Sequence, residues 1–142
     1  MTLEGQRKVE AVNLAQPSLL ITDDDEVFRE TLRSVFEPRG LRTWLASDGE
    51  EALWIVEHQP VHVLLLDVHM PRLDGLATLE RLRQRVAPPP CILMSGDWSE
   101  DLEQSVRPFA FSVLTKPIRF ETVTQVVQDA LWQCYRLRWT AR

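Results

Sequence analysis

The chain has 142 residues, 44% of them hydrophobic and 26% charged, which suits one globular domain with a sizeable core and no extended low-complexity segment. A net charge of -5, with no basic patch outside the extreme C-terminus, argues against a general nucleic-acid binder, since phosphate backbones are held by clustered Lys and Arg. No apolar run approaches the roughly 20 residues that span a bilayer, and the opening MTLEGQRKVEAVNLAQP lacks a signal peptide's apolar stretch, so no membrane contact and a cytoplasmic location are expected.

Residues 1–16 read as a flexible arm ahead of a single domain over 17–142. SLLIT (18–22) is apolar and short enough for a first strand, and it exits into Asp23-Asp24-Asp25. Val27, Phe28, Thr31, Leu32, Val35 and Phe36 then recur at helical spacing, and Pro38 and Gly40 close that helix. LRTWLA (41–46) is a second strand. Asp48, followed by Glu51 three residues on, resembles a capping box and opens a helix over 49–58, with Pro60 after it. His58 and His62 read as surface or strand-flank residues.

VHVLLL (61–66) is a third strand, and it stops on Asp67. Met70-Pro71 ends it, and Leu73-Asp74-Gly75 turns the chain, with Gly75 expected to take a backbone angle that other residues resist. A helix from Gly75 to Val86 turns Leu76, Leu79 and Leu82 inward, until the prolines at 88–90 terminate it. CILMS (91–95) is a fourth strand, a helix begins after Asp97, FSVLT (111–115) is a fifth strand, and a last helix runs from Phe120 to Arg138. Cys91 and Cys134 each lie in an apolar segment, the pattern of buried reduced thiols rather than of a disulfide or metal site. Alternation of strands and helices implies an α/β fold with a parallel sheet covered on both faces.

In such sheets ligands bind beyond the carboxyl ends of the strands, and those ends carry the polar chemistry here: Asp23 and Asp24, Asp67, Ser95, and Lys116 before Pro117. Burying an ionised Asp67 without a partner costs several kcal/mol or more. Asp23, Asp24 and Asp67 in one pocket would raise one another's pKa unless a cation intervened, and an all-oxygen ligand set favours Mg²⁺ over Zn²⁺. Lys116 and Ser95 add a positive charge and a hydroxyl donor suited to phosphoryl oxygens, and a carboxylate can attack phosphorus to form an acyl phosphate. Taken singly, the acids also suit an N-cap and first helical turn, Ser95 a strand-end turn, and Lys116 a solvated charge.

From about Pro17 to Leu137 the chain resembles a receiver domain of the two-component response regulators, on the residues LLITDDDE, LLLDVHMPRLDG, LMSG and LTKP in that order. The resemblance implies a flavodoxin-like three-layer sandwich, with five parallel strands in the order 2-1-3-4-5 and five helices. It also implies phosphoryl transfer from the phosphohistidine of a histidine kinase or phosphotransfer protein to Asp67. Mg²⁺ would be held by Asp24, Asp67 and the backbone carbonyl of His69, with Asp23 acting through water. Such a domain is not an enzyme beyond catalysing its own phosphorylation and dephosphorylation. Lys116-Pro117 is expected to be cis. A phosphate-independent interaction module of the same fold, or a fragment of a larger regulator with an output domain, stays open beside this reading.

The chain departs from the family in its signalling surface. Three residues before Lys116, where receivers often carry Tyr or Phe, stands Val113; Phe109-Ala110 replaces a common Gly-Ala, and Phe111 is expected on the same face as Val113. On the last helix Val123, Val126, Val127, Ala130, Leu131, Cys134 and Leu137 share one face, while Trp132, Tyr135 and Trp139 fall roughly opposite. That aromatic stripe is expected to meet a downstream protein or a second copy, or to be covered by Leu3, Val9, Val12 and Leu14 of the arm.

Overall fold

A computed structural model describes residues 16–139. The expectations about the arm, Gln16 apart, and about its four apolar residues lie outside the described residues. Strands β1 (Ser18–Thr22), β2 (Arg42–Ala46), β3 (Val63–Asp67), β4 (Cys91–Ser95) and β5 (Ser112–Thr115) form one parallel sheet in the order β2-β1-β3-β4-β5. Between and after them run α1 (Glu26–Phe36), a 3₁₀ turn (Glu37–Arg39), α2 (Gly49–His58), α3 (Gly75–Arg83), α4 (Glu100–Val106) and α5 (Phe120–Tyr135). This is the flavodoxin-like arrangement that the resemblance implies. No helix among the described residues is long and apolar enough to cross a membrane.

The central strands read as unbroken apolar runs because helices cover both faces. Leu19, Ile21, Val63, Leu65, Ile92 and Met94 point to one side, where Leu32 and Phe36 of α1 and Val123, Val127, Ala130 and Leu131 of α5 pack on them. Leu20, Leu64, Leu66, Cys91 and Leu93 point to the other, against Ala52, Ile55 and Val56 of α2, Leu79 and Leu82 of α3, and Val106 of α4. Burial of a Leu or Ile side chain contributes about 1.5–3 kcal/mol.

Caps set the helix starts. The Asp25 carboxylate accepts from the N–H groups of Val27 and Phe28, that of Asp48 from Glu51, that of Asp74 from Ala77, and the Ser99 hydroxyl from Leu102. Glu51 closes its box on the N–H and hydroxyl of Ser47, one residue before the cap.

Several sequence expectations are corrected. Val27 is 74% exposed, because it lies about 160° around α1 from the face that Leu32 and Phe36 define. The third helix ends at Arg83 rather than Val86, three residues before the prolines were expected to stop it. Phe111 packs with the α1–α5 side and Val113 with the other, since Phe111 precedes the regular pleat of β5. His62 is fully buried: its Nδ1 accepts the Ser18 N–H at 3.1 Å and its ring meets Tyr135 edge-on at 5.0 Å. Gly75 has an ordinary backbone; it is needed because a Cβ there would stand 2.2 Å from the Asp67 carbonyl oxygen and 2.8 Å from the Val68 Cα.

The aromatic stripe of the last helix also dissolves. The buried row of α5 follows the i, i+4 ridge through Val123, Val127, Leu131 and Tyr135, which drifts around the helix. Tyr135 is thereby turned inward, donating its hydroxyl to the His62 carbonyl at 2.6 Å, and Cys134 is left exposed. At Arg136 the chain takes a left-handed turn (φ 58°), with Leu137 N–H donating to Leu131 O, a helix-ending motif more usual at Gly. Beyond it Trp139 folds back onto Phe36, ring centroids 5.8 Å apart, and its indole N–H donates to the Arg39 carbonyl at 2.6 Å. Of the three aromatics only Trp132 stays exposed, beneath the guanidinium groups of Arg136 and Arg138.

Gly75→Ala is expected to destabilise the domain by about 3 kcal/mol, because backbone rather than a flexible side chain meets the new methyl group. Urea unfolding of the variant checks this; a midpoint equal to wild type would refute the close-approach account.

Candidate functional site

The carboxyl ends of β1, β3, β4 and β5 converge on one pocket. Asp23 follows β1 and is fully buried. One carboxylate oxygen accepts the N–H of Asp25 at 2.9 Å and the other the ammonium of Lys116 at 2.6 Å, while Arg29 donates to its carbonyl at 2.7 Å. Asp67, the last residue of β3, is 5% exposed; Oδ2 lies 3.3 Å from Lys116 Nζ and Oδ1 accepts a long 3.4 Å bond from the His69 N–H. Carboxylate oxygens of Asp23, Asp24 and Asp67 all lie within 4.8 Å of one another, with Asp24 exposed at the rim.

Lys116 comes from the end of β5. Its N–H donates to the Ser95 carbonyl at 2.8 Å, the Lys116-Pro117 bond is cis as expected, and the ammonium sits 4.8 Å from the centre of the Phe28 ring. Ser95 is fully buried, and its hydroxyl oxygen accepts the Asp97 N–H at 3.0 Å, leaving its own O–H free to donate elsewhere. The His69 side chain is exposed, so only its backbone faces this chemistry.

Electrostatics follow from the crowding. Burial, and then the negative charge of Asp23, push the Asp67 carboxyl above the usual carboxylate value, with Lys116 and the His69 N–H opposing in part. Burial pulls the Lys116 ammonium down, but its hydrogen bond to Asp23 and the charges of Asp23 and Asp67 outweigh that and hold it protonated. Three clustered carboxylates against one ammonium leave net negative charge and hard oxygen donors, which fits a divalent cation such as Mg²⁺.

Of the residues that the sequence singled out, the carboxylates of Asp23, Asp24 and Asp67 and the Lys116 ammonium stand together, His69 reaches them through its N–H, and Ser95 ends the neighbouring strand. Three contributors escaped the sequence reading. Phe28 reads as core from its spacing, yet its ring also covers Lys116. Trp98, three residues past Ser95, packs against the same apolar cluster as Val113 and donates its indole N–H to the Leu114 carbonyl at 2.8 Å. Asp48 is legible as a cap, but its ion pair with Arg72 joins residues 24 apart in the chain, which periodicity cannot see.

A family model for the response regulator receiver domain matches residues 19–128. The chain is 37% identical over 116 residues to the positive alginate biosynthesis regulatory protein of Pseudomonas aeruginosa, covering 80% of this chain and 46% of that protein. It is 34% identical over 107 residues to the Regulator of RpoS of Escherichia coli, covering 75% of this chain and 32% of that one. It thus spans less than half the length of these two relatives. Among solved structures, the receiver domain of Francisella response regulator 1452 superposes with a TM-score of 0.77 at 29% identity, over 83% of this chain and 98% of that one. The chemotaxis protein CheY4 of Vibrio cholerae gives 0.75 at 25% identity, over 82% and 100%. The chain belongs to the response regulator receiver family, the signalling modules of two-component systems.

The raised Asp67 value carries a stability consequence. The folded chain binds this proton more tightly than the unfolded chain, so the ionised form costs stability above the folded value, and the cost vanishes below the unfolded value of 3.8. Asp67→Asn is expected to raise the melting temperature at pH 7 by roughly 3 °C, a gain that shrinks as the pH falls towards the unfolded value. Thermal unfolding across that range checks the sign; a variant less stable than wild type at pH 7 would contradict it.

Proposed function

We propose that Asp67 accepts a phosphoryl group from the phosphohistidine of a histidine kinase or phosphotransfer protein. The supporting observation is a buried carboxylate at the end of β3, flanked by two further acids and 3.3 Å from an ammonium group that a second acid holds in place. A carboxylate oxygen of Asp67 attacks phosphorus; the P–O bond forms, and the P–N bond breaks with its electron pair returning to the imidazole.

Lys116 has three N–H donors, of which Asp23 and Asp67 engage two, leaving one for a phosphoryl oxygen. The Ser95 hydroxyl, held by Asp97, donates to another. Mg²⁺, which Asp24, Asp67 and the His69 carbonyl would hold with Asp23 acting through water, supplies neutralisation where the carboxylates meet the phosphoryl oxygens. The accepted group shifts a pre-existing equilibrium of the domain toward a surface that a downstream protein distinguishes. The chemistry is confined to the domain's own phosphorylation and dephosphorylation.

Incubating the chain with acetyl phosphate or phosphoramidate and Mg²⁺, then weighing the intact protein, tests the acceptor. Asp67→Asn is expected to abolish the phosphoryl mass increment while leaving the fold intact; labelling of that variant at the wild-type rate would remove the assignment. In Mg²⁺ titrations Asp24→Ala is expected to lose more affinity than Asp23→Ala, since Asp23 is already engaged by Lys116 and the Asp25 N–H. Equal losses would contradict the division between direct and water-mediated ligands.

A further inference from the structure

The loop between β3 and α3 contains a strained residue and an ion pair that the proposed chemistry leaves unused. Both ends of this loop are tied by the backbone: Val68 N–H donates to Met94 O at 2.9 Å, Gly75 N–H to Val68 O at 2.9 Å, and Gly49 N–H to Leu73 O at 3.1 Å. At its crown Arg72 adopts the left-handed conformation, φ 63°, which costs a residue with a Cβ on the order of 1 kcal/mol.

The Arg72 side chain crosses to α2. Its Nε and Nη2 lie 2.6 and 2.5 Å from the same oxygen, Oδ2, of Asp48. Asp48 is 5% exposed, and its other oxygen accepts the Glu51 N–H at 2.9 Å as the cap of α2. The acceptor is therefore held through Oδ1 to the first turn of a helix packed on the sheet, and Oδ2 is left for Arg72. An ordinary exposed ion pair contributes little, because two mobile side chains must be held in place. Here one partner is already immobile, and the other sits on a backbone whose left-handed turn needs holding.

We propose that Arg72 is a positioning residue, clamping the loop crown to the start of α2 so that the His69 backbone stands where a divalent cation at Asp24 and Asp67 can use it. The inference rests on the metal reading given above. It concerns the cation's affinity rather than the nucleophile.

Two measurements on the full chain test it: Mg²⁺ titration, and amide hydrogen exchange of the loop in metal-free protein. Arg72→Ala is expected to raise the Mg²⁺ Kd about fivefold and to speed exchange of the backbone amides at His69 and at position 72. Saturating Mg²⁺ is expected to return its labelling by acetyl phosphate to the wild-type rate. Arg72→Lys, with a single point of charge, is expected to fall between, and Asp48→Asn combined with Arg72→Ala to add nothing to the Kd change of the Arg72 variant. Arg72→Gly removes the backbone strain together with the clamp, and provides the test should Arg72→Ala not fold. If Arg72→Gly keeps the wild-type Kd and exchange, or if the labelling deficit survives saturating Mg²⁺, the positioning role is overturned. Should the wild-type chain neither bind Mg²⁺ nor become labelled, the metal reading has failed, and the metal-free exchange rates still decide whether the clamp holds the loop.

Discussion

The ammonium group of Lys116, 2.6 Å from Asp23 and 3.3 Å from Asp67, is the contact on which this molecule turns. Two carboxylates almost closed off from solvent repel each other, and the one cation between them offsets part of that repulsion. The two acids come from β1 and β3, neighbours in the sheet, and the lysine from β5, at its far edge. Only a sheet with its strands in this order and register places them together. Fold and site are thus one constraint seen twice: the packing of apolar strand interiors fixes where the polar strand ends stand.

The division of labour along each strand follows from solvent access. Strand interiors alternate between two apolar clusters, and nothing ionisable stands among them in β3 until Asp67. At the carboxyl end the helices begin, their caps taking up backbone N–H groups with Asp25 and Asp74, while Asp23 and Asp67 remain for the pocket. Neighbouring acids therefore perform different tasks because of which backbone groups lie within reach. Asp25 is absorbed by α1; Asp23, two residues earlier, receives Lys116.

Much of this was legible from the amino-acid order. β1 and β4 coincide with SLLIT and CILMS, and α2 with its box over 49–58, because buried strands are short apolar runs and capped helices announce their first turn. The site residues were legible for the same reason, as polar groups at the ends of apolar runs. What escaped was whatever depended on a partner distant in sequence or on an unusual backbone. His62 is polar and reads as surface, yet Ser18 and Tyr135 allow it to be fully buried. The left-handed turns at Arg72 and Arg136 carry none of the Gly or Asn that ordinarily marks them. The last helix was therefore extended three residues too far, and its projection then placed Trp139 on a helical face it never occupies.

The folding back of Trp139 bears on where this module stops as a cooperative unit. The family match ends at residue 128, yet Ala130, Leu131 and Trp139 are buried, and Gln128 itself donates to the Trp139 carbonyl. The indole closes the end of the α1–α5 layer against Arg39, at the edge of the sheet opposite the acid pocket. A fragment trimmed to the family boundary would bare Phe36 and open that layer to water. The buried layer continues through Trp139, a last plank without which the hull on that side leaks.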